Sequence, residues 1–360
     1  LRIDGLVLDG AFLSHEQGQR LSNQFKSMAG LSPVVRFVPE EGRITREVDN
    51  ILLDLRVAHA PCLRGDKLSI RLFIPQQVPQ NLGELGLHEE GLAGLQDWMD
   101  NISGMLLVAG PTGSGKTTTL YALLHLLKLS ERNVVTIEDP VEYEVKGINH
   151  MQVNAVHGLG FVDGMKAMLR LDPDYLMVGE IRDAASAKAA VNASASGHAL
   201  MSTLHSRDAV GVIDTLRNYG LNGLDISSNL MLVVAQRLVR KLCKQCNAEG
   251  APTEAEAKWL KLLGREVPQK VWHPVGCDEC RGIGYHGRTG VFEVWRVDPV
   301  EYQLILDGAD RRTIYRHLAG RGHHFLLDDG LKKVIDGVTS VEELRGMGGF
   351  SALGDIDRKE

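Results

Sequence analysis

The sequence lacks the features of a membrane-spanning protein and of a general polyanion binder. No apolar run among its 360 residues approaches the roughly 20 residues that a transmembrane helix requires. Aromatic residues make up only 5% of the chain, which leaves no basic and aromatic stripe for stacking nucleic-acid bases. The formal net charge is −6, whereas proteins that adhere broadly to nucleic acid usually carry a positive field. With no signal peptide, the chain is expected to be cytoplasmic, and we expect further natural sequence upstream of Leu1.

Cysteine is also scarce, and four of the five cysteines are grouped. Cys243 and Cys246 form one C-x-x-C pair, and Cys277 and Cys280 form a second pair 30 residues further on, while Cys62 stands alone. In a cytosolic chain this spacing favours a metal site over disulfides. Four thiolates surround a tetrahedral Zn²⁺ ion and leave no open coordination position. The sequence therefore predicts a structural zinc site.

The first part of the chain has the pattern of a small α/β domain. Ser14 and Gln17 form a capping box ahead of a helix that Gly30 is expected to close. Apolar and polar residues alternate over 53–57 and 68–72, which predicts two half-buried strands with an arginine on the open face of each.

Strand–loop–helix units follow, which is typical of a parallel sheet covered by helices. Four apolar runs, at 105–109, 134–137, 176–178 and 199–203, are each followed directly by polar residues. Open α/β sheets bind ligands outside the carboxyl ends of their strands, so we expect one crevice shared by these four ends. The predicted domain boundaries are 1–75, a linker at 76–90, the domain of strand–loop–helix units at 91–240, a cysteine element at 241–297 and a helical region at 298–360.

A phosphate-binding loop lies between the apolar run MLLVA and the helical stretch TTTLYALLHLL. Its sequence fits the pattern G-x-x-x-x-G-K-[ST], whose backbone N–H groups and helix N-terminus bind phosphate oxygens. Lys116 is predicted to reach the β- and γ-phosphates, and Thr117 to bind Mg²⁺. The predicted nucleotide-binding residues are Gly110, Pro111, Thr112, Gly113, Ser114, Gly115, Lys116, Thr117 and Thr118.

Acidic residues follow two of the other strands. The stretch IEDPVEY places Glu138 and Glu142 after the second strand, and DPDYLMVGEIRD places Glu180 after the third. Gly179 occupies the position where P-loop enzymes usually have a magnesium-binding Asp, and glycine has no side chain with which to bind a metal. We therefore predict that Glu138, Glu142 and Glu180 share the positioning of metal and water.

Two histidines flank the fourth strand in SGHALMSTLHS. His205 follows the strand end in register with the other three sites, and we predict that it senses the γ-phosphate through a hydrogen bond. For His198, which precedes the strand, a functional and a structural interpretation are both open.

These four stretches together resemble the secretion ATPase superfamily, specifically the ATPases of type II secretion and type IV pilus assembly. AQRLVRKLC at 235–243, GYHGRTGVFEV at 284–294 and the upstream RIDG, MAGL and PEEGRI also resemble this family, so the similarity spans nearly the whole chain. In the family a glycine–glutamate pair is usual at 179–180, so Gly179 does not indicate an inactive enzyme. Tetracysteine elements are typical of its assembly and secretion members rather than of pilus-retraction ATPases.

The resemblance implies an architecture and a set of roles. A PAS-like N-terminal domain, truncated at its start, precedes a RecA-like P-loop ATPase domain, with the nucleotide between them in a homo-hexamer. Glu138, Glu142 and Glu180 then serve catalysis, together with His198 and His205 and with two further side chains, Arg56 and Arg71. These two arginines match ones near the nucleotide at a domain or subunit interface, and a surface strand position is the alternative interpretation of each. Gln236, Arg237 and Arg240 are a hypothetical relay to the zinc element.

The function implied is an ATP-hydrolysing motor that assembles a type IV pilus or a type II secretion pseudopilus. It would act on the cytoplasmic side of the inner membrane, with ATP, Mg²⁺ and Zn²⁺ as cofactors and only peripheral membrane contact. Its expected partners are an inner-membrane platform protein and a membrane-docking recruitment protein, with no nucleic acid. The alternative is a zinc-containing P-loop ATPase acting on nucleic acid. A metabolic phosphotransferase is a third alternative, but the sequence shows no recognisable pocket for a phosphate acceptor.

Overall fold

The computed structural model describes residues 1–33, 38–63, 65–74, 82–101, 103–127 and 131–348. The chain divides into two compact units, one within 1–78 and one within 79–360. No helix in the described ranges is long and apolar enough to span a bilayer. Residues 76–81 of the predicted linker and 349–360 of the predicted helical region lie outside the described residues.

The first unit is a three-stranded antiparallel sheet with one helix against it. Its elements are β1 Arg2–Ile3, β2 Leu6–Val7, α1 His15–Met28, β3 Glu40–Val48, β4 Ile51–Cys62 and β5 Gly65–Phe73. The predicted capping box of Ser14 and Gln17 is confirmed, and Gly30 follows the helix with a positive φ of 73°. The PAS-like identity of this unit stays a prediction.

The helix α1 packs against β3 and β4, where Ala29, Ile44 and Val57 form a small buried core. The prediction that 68–72 is half-buried is wrong for most of that strand. Ile70 is 38% exposed and Leu72 is 55% exposed. The alternation was present, but β5 is an edge strand of this sheet and α1 packs mainly against β3 and β4, so Leu68 reaches the small core whereas Ile70 and Leu72 do not.

The second unit is built on a seven-stranded mixed sheet. The strands of this unit are β6 Gly104–Ala109, β7 Val134–Glu138, β8 Asn149–Gln152, β9 Tyr175–Val178, β10 Ala199–Leu204, β11 Leu230–Leu242, β12 Ala248–Gly250, β13 Val271–His273 and β14 Tyr285–Arg296. Of these, β12 and β13 form a separate two-stranded sheet. The order in the large sheet is β14-β11-β6-β10-β9-β7-β8. All neighbours in it are parallel except β11 and β14, which are antiparallel.

The helices of this unit are α2 Glu89–Asn101, α3 Lys116–Leu126, α4 Phe161–Met168, α5 Ala184–Ala195, α6 Gly211–Asn218, α7 Gly223–Ser227, α8 Glu254–Leu262, α9 Pro299–Leu306, α10 Arg311–Gly320, α11 Leu326–Ile335 and α12 Val341–Gly346. Short 3₁₀ turns lie at Leu82–Leu85 and Ala155–His157. The central strands are largely apolar and almost completely buried because both faces of the sheet are covered.

Two segments lie elsewhere in the fold than the domain boundaries predicted from the sequence suggest. The described part of the predicted linker, 82–90, contributes the buried side chains of Leu82, Leu85 and Leu87 to the second unit. The strand β14, grouped with the cysteines in the sequence analysis, is an edge strand of the large sheet. The cysteines and the pair β12–β13 thus lie in the connection between two adjacent sheet strands.

Candidate active site

Four polar strand ends meet at one edge of the large sheet. The strands β6, β10, β9 and β7 are successive parallel neighbours, so their carboxyl ends lie side by side. The phosphate loop follows β6, His205 follows β10, Glu180 follows β9, and Glu138 ends β7. The backbone N–H of Gly110 donates to the carbonyl of Leu204 at 3.2 Å, which ties the loop to β10. The crevice expected from the sequence therefore has its components in one place.

The phosphate loop turns directly from β6 into α3. Gly115 caps the helix with a left-handed φ of 89°, a conformation that L side chains rarely adopt. A Cβ on Gly110 would lie 2.4 Å from Ser114 Oγ, so the loop closes only with glycine there. Thr117 and Thr118 are exposed in the first turn of α3. The unsatisfied N–H groups of a helix start attract anions, which suits a polyphosphate.

Lys116 lies inside this loop. Its Nζ donates to the carbonyls of Gly110 at 2.9 Å and Pro111 at 3.1 Å. Burial lowers the pKa of Lys116; the nearby Glu180 carboxylate raises it, and the charge of Arg237 lowers it. A half-buried ammonium whose partners within the described part of the chain are neutral carbonyl oxygens is well placed to exchange them for phosphate oxygens.

Gln236 on β11 holds the phosphate loop in place through two hydrogen bonds. Its Nε2 donates to the carbonyl of Ser114 at 2.7 Å, and Thr119 Oγ1 donates to its Oε1 at 2.8 Å. The Gln236 side chain is 1% exposed, so both hydrogen bonds are shielded from water. The phosphate loop and the first turn of α3 are thereby joined to the strand that leads to Cys243.

The other two residues of the hypothetical relay have different partners. Arg237 donates to the carbonyls of Gln236 at 3.1 Å and Arg207 at 2.5 Å. Arg240 binds Glu343 of α12 through Nε at 3.0 Å, and its guanidinium lies 4.1 Å from the ring centroid of Tyr285. Arg240 thus holds the C-terminal helix against β11.

Glu138 is buried, and both its carboxylate oxygens are engaged. Tyr121 donates to Oε2 at 2.5 Å, and Thr136 donates to Oε1 at 2.6 Å. His150 Nδ1 lies 2.8 Å from Oε1, while the backbone N–H of Val145 donates to His150 Nε2 at 3.1 Å. His150 therefore carries its hydrogen on Nδ1 and donates a hydrogen bond from there to Glu138 Oε1. The carboxylate links α3, β7 and β8 and has little freedom to move.

Glu180 is more open than Glu138. Its side chain is 33% exposed and accepts a hydrogen bond from Arg182 Nη1 at 3.2 Å. The same Nη1 lies 3.9 Å from Asp139 Oδ2, so Arg182 connects the ends of β7 and β9. The negative charge of Glu180 acts on Lys116 of the phosphate loop and raises its pKa. Glu142 lies in the same turn region, where its backbone N–H donates to the hydroxyl of Tyr121 at 3.2 Å.

The two histidines lie at opposite ends of the central strand β10. His205 is exposed beyond the carboxyl end of β10, next to the loop side. His198 precedes β10, which spans about 20 Å at roughly 3.3 Å per residue. Its Nδ1 is 3.0 Å from Ser196 Oγ and 3.2 Å from the carbonyl of Ala193. Within one chain, His198 is therefore separated from the phosphate loop, and its catalytic role stays a prediction.

Arg56 and Arg71 lie in the first unit, on neighbouring strands. They are directly paired across β4 and β5, and Arg43 on β3 pairs with Arg56. Residues opposite each other in an antiparallel sheet point to the same face, so the three guanidinium groups form one row. Arg43 Nε also binds Asp54 Oδ1 at 2.7 Å. The roles of Arg56 and Arg71 stay predictions.

The four grouped cysteines form a cluster with tetrahedral spacing. The Sγ–Sγ distances are 3.9 Å for Cys243 and Cys277, 3.7 Å for Cys246 and Cys280, and 3.8 Å for Cys277 and Cys280. Four thiolates at the usual zinc–sulfur distance of about 2.3 Å would be about 3.8 Å apart. These residues therefore fit Zn²⁺ in their native positions.

Backbone N–H groups also favour thiolate in this cluster. Cys277 and Gly284 each donate an N–H to Cys280 Sγ at 3.2 Å. Burial raises the pKa of the Cys280 thiol, but these hydrogen bonds and those from the Cys246 and Cys277 side chains together outweigh it and lower the pKa to about 6. A thiolate is the form that binds metal.

Sequence reasoning missed the residues that hold Glu138. Tyr121 and His150 come from α3 and β8, and no local spacing connects them to IEDPVEY. One signal was available, because a tyrosine within the apolar helix stretch LYALL needs a partner for its hydroxyl when it is buried.

Comparison with known proteins finds a protein family and individual relatives that match most of the chain. Residues 1–346 match the family described as type II/IV secretion system protein. The chain is 40% identical to type II secretion system protein E of Pseudomonas aeruginosa over 345 residues, which cover 95% of the chain and 68% of the relative. It is 39% identical to type II secretion system ATPase E of Vibrio cholerae, with the same coverage. The type IV pilus assembly ATPase PilB of Acinetobacter baylyi is 36% identical over 95% of the chain and 60% of its own length.

Solved structures share the fold at low sequence identity. The Legionella pneumophila ATPase DotB aligns with a TM-score of 0.68 at 20% identity, covering 95% of the chain and 86% of DotB. The pilus retraction motor PilT with bound ADP aligns with a TM-score of 0.64 at 21% identity, covering 96% of the chain and 89% of PilT. The mixed α/β architecture expected from the sequence is thus an ATPase fold.

Proposed function

Since the chain belongs to the type II/IV secretion system protein family and is one of its ATPases, we propose that it is a homo-hexameric motor for pilus or pseudopilus assembly. The observation that carries this proposal is the convergence of the phosphate loop, Glu180 and His205 on one sheet edge. ATP hydrolysis there would power filament extension from the cytoplasmic side of the inner membrane, through a platform protein and a recruitment protein.

In the proposed mechanism the chain's own residues position and stabilise the reacting phosphate. Lys116 leaves its carbonyl partners and contacts the β- and γ-phosphates, where it offsets the negative charge of the transition state. Thr117 would hold Mg²⁺ from the loop, and the bound ion would neutralise part of the negative charge of the phosphates. His205 would donate a hydrogen bond to the γ-phosphate.

Glu180 is the carboxylate proposed to orient the attacking water. Its side chain is partly exposed beside Lys116, whereas both oxygens of Glu138 already accept hydrogen bonds. Glu138 would then act by holding α3 and β7 in place, with Glu142 in the adjoining turn. Arg56 and Arg71 are proposed to supply positive charge to the nucleotide within the assembled ring.

The buried contacts of Gln236 support a proposed route from nucleotide to zinc element. A shift of the phosphate loop changes the position of β11, because Gln236 binds both the loop and α3. Cys243 directly follows β11, so the tetracysteine element would respond to the same shift. The zinc ion itself would serve only to hold this element folded.

The rate of ATP hydrolysis with and without DNA tests this function against its alternative. We expect the turnover of the full, zinc-loaded chain to be unchanged by single-stranded or double-stranded DNA, because its net charge is negative. Stimulation by DNA of about tenfold or more would instead support a nucleic-acid-dependent ATPase, since it would require a productive DNA complex.

A further inference from the structure

A second set of metal-ligand side chains lies in the second unit, separate from the tetracysteine element. It comprises His88 just before α2, His324 just before α11, and Asp329 within α11. One potential ligand atom of each residue lies within 4.8 Å of those of the other two. We propose that His88, His324 and Asp329 bind a divalent transition-metal ion, which joins the start of the second unit to α11.

Two nitrogen atoms in this set are buried without a hydrogen-bond partner among the described residues. They are Nδ1 of His88 and Nε2 of His324. The two imidazole rings have centroids 4.6 Å apart and planes inclined by 46°. Buried polar atoms nearly always have a partner, and burying one without a partner is costly. Two imidazoles and one carboxylate form a ligand set that Zn²⁺, Co²⁺ and Ni²⁺ accept.

Another cluster of histidine and carboxylate side chains in the unit provides a contrast. Asp298, Glu301 and His317 also lie within ligand distance of one another. There, however, Arg321 binds both carboxylates, and His317 Nε2 lies 3.0 Å from Glu301 Oε1. These ligand atoms already have partners, so that cluster is a network of ion pairs. The unpartnered nitrogens distinguish the His88 set from it.

The charges around the His88 set favour a neutral imidazole at His88 and a moderate affinity. Burial lowers the pKa of His88, and the neighbouring His324 lowers it further, so at neutral pH the ring has the unprotonated nitrogen that a metal requires. Asp329 is oriented by the backbone N–H of Phe292, which donates to Oδ2 at 2.8 Å. Lys333 binds the same oxygen and competes with a cation. We therefore expect weaker binding than at the four cysteines.

Metal stoichiometry tests the site without reference to catalysis. The full chain, with zinc in the tetracysteine element, is dialysed against Co²⁺, and bound metals are counted by elemental mass spectrometry. The expected result is one Zn²⁺ and one Co²⁺ per chain, with visible cobalt absorption and no thiolate-to-cobalt charge-transfer band. Binding of Zn²⁺ alone at millimolar Co²⁺ would overturn the proposal, and this outcome does not depend on any variant.

Matched variants locate the second ion. The double substitution His88→Gln and His324→Gln is expected to abolish cobalt binding, whereas His317→Gln in the contrasting cluster retains it. Cobalt binding that survives in the double variant would show that the ion sits elsewhere, and would overturn the assignment. In the wild-type chain, Co²⁺ is also expected to slow amide hydrogen exchange at 82–91 and 323–330 together. Unchanged exchange in these segments would contradict the claim that the ion joins them.

Discussion

Replacing Lys116 with alanine is expected to lower ATP turnover by about two to three orders of magnitude, the usual effect of losing one charged transition-state contact. Lys116 is the ammonium within the phosphate loop, held by the carbonyls of Gly110 and Pro111. Alanine removes the positive charge that would stabilise the γ-phosphate in the transition state. Steady-state phosphate release at saturating ATP and Mg²⁺ measures the effect.

Lys166→Ala is the matched control for this substitution. Lys166 is an exposed lysine on α4 whose contact is an ion pair with Asp163, and exposed pairs contribute little to stability. We expect turnover within about twofold of wild type in this variant. Full activity in Lys116→Ala would contradict the assignment of the phosphate loop as the catalytic nucleotide site.

Glu180→Gln is expected to lower turnover by about 100-fold or more, in the range typical of general acid–base groups. Glutamine keeps the size of the side chain but cannot act as the carboxylate that orients water. Nucleotide affinity should change little, because the phosphate loop and Gln236 are untouched. Phosphate release and the binding of a fluorescent ATP analogue, measured on the same preparation, separate the two effects.

Glu249→Gln serves as the control, because Glu249 is an exposed carboxylate paired with Lys270 in the β12–β13 sheet. A different result would reassign the chemistry. If Glu180→Gln kept its turnover while a folded Glu138→Gln variant lost it, Glu138 would be the water-positioning residue despite its hydrogen bonds.

The location of the site could be predicted from the sequence because its parts are encoded locally. The phosphate loop needs a strand, a glycine-rich turn and a helix within one short stretch, and residues 104–126 contain all three. Each other component follows an apolar run directly. Parallel strands place their carboxyl ends at the same edge, so adjacency of these segments followed from the fold class alone.

The contacts within the site depended on residues far apart in the chain. The different freedom of Glu138 and Glu180 arises from Tyr121 and His150, which only the folded sheet brings to Glu138. The pairing of β14 with β11 was hidden because 42 residues containing the cysteines separate the two strands. Burial of 68–72 was overestimated because alternation indicates which face of a strand is apolar, but does not indicate whether another element covers that face.

Mixing active and inactive chains tests the central claim of a coupled hexameric motor most directly. Wild-type and Glu180→Gln chains are combined at constant total concentration, allowed to exchange subunits, and assayed for ATP turnover at several ratios. If subunits hydrolyse ATP in a coupled ring, one inactive subunit slows its neighbours, and an equal mixture is predicted to show well below half of the wild-type turnover. Turnover that falls in strict proportion to the fraction of wild-type chain would contradict the motor, because each subunit would then be working alone.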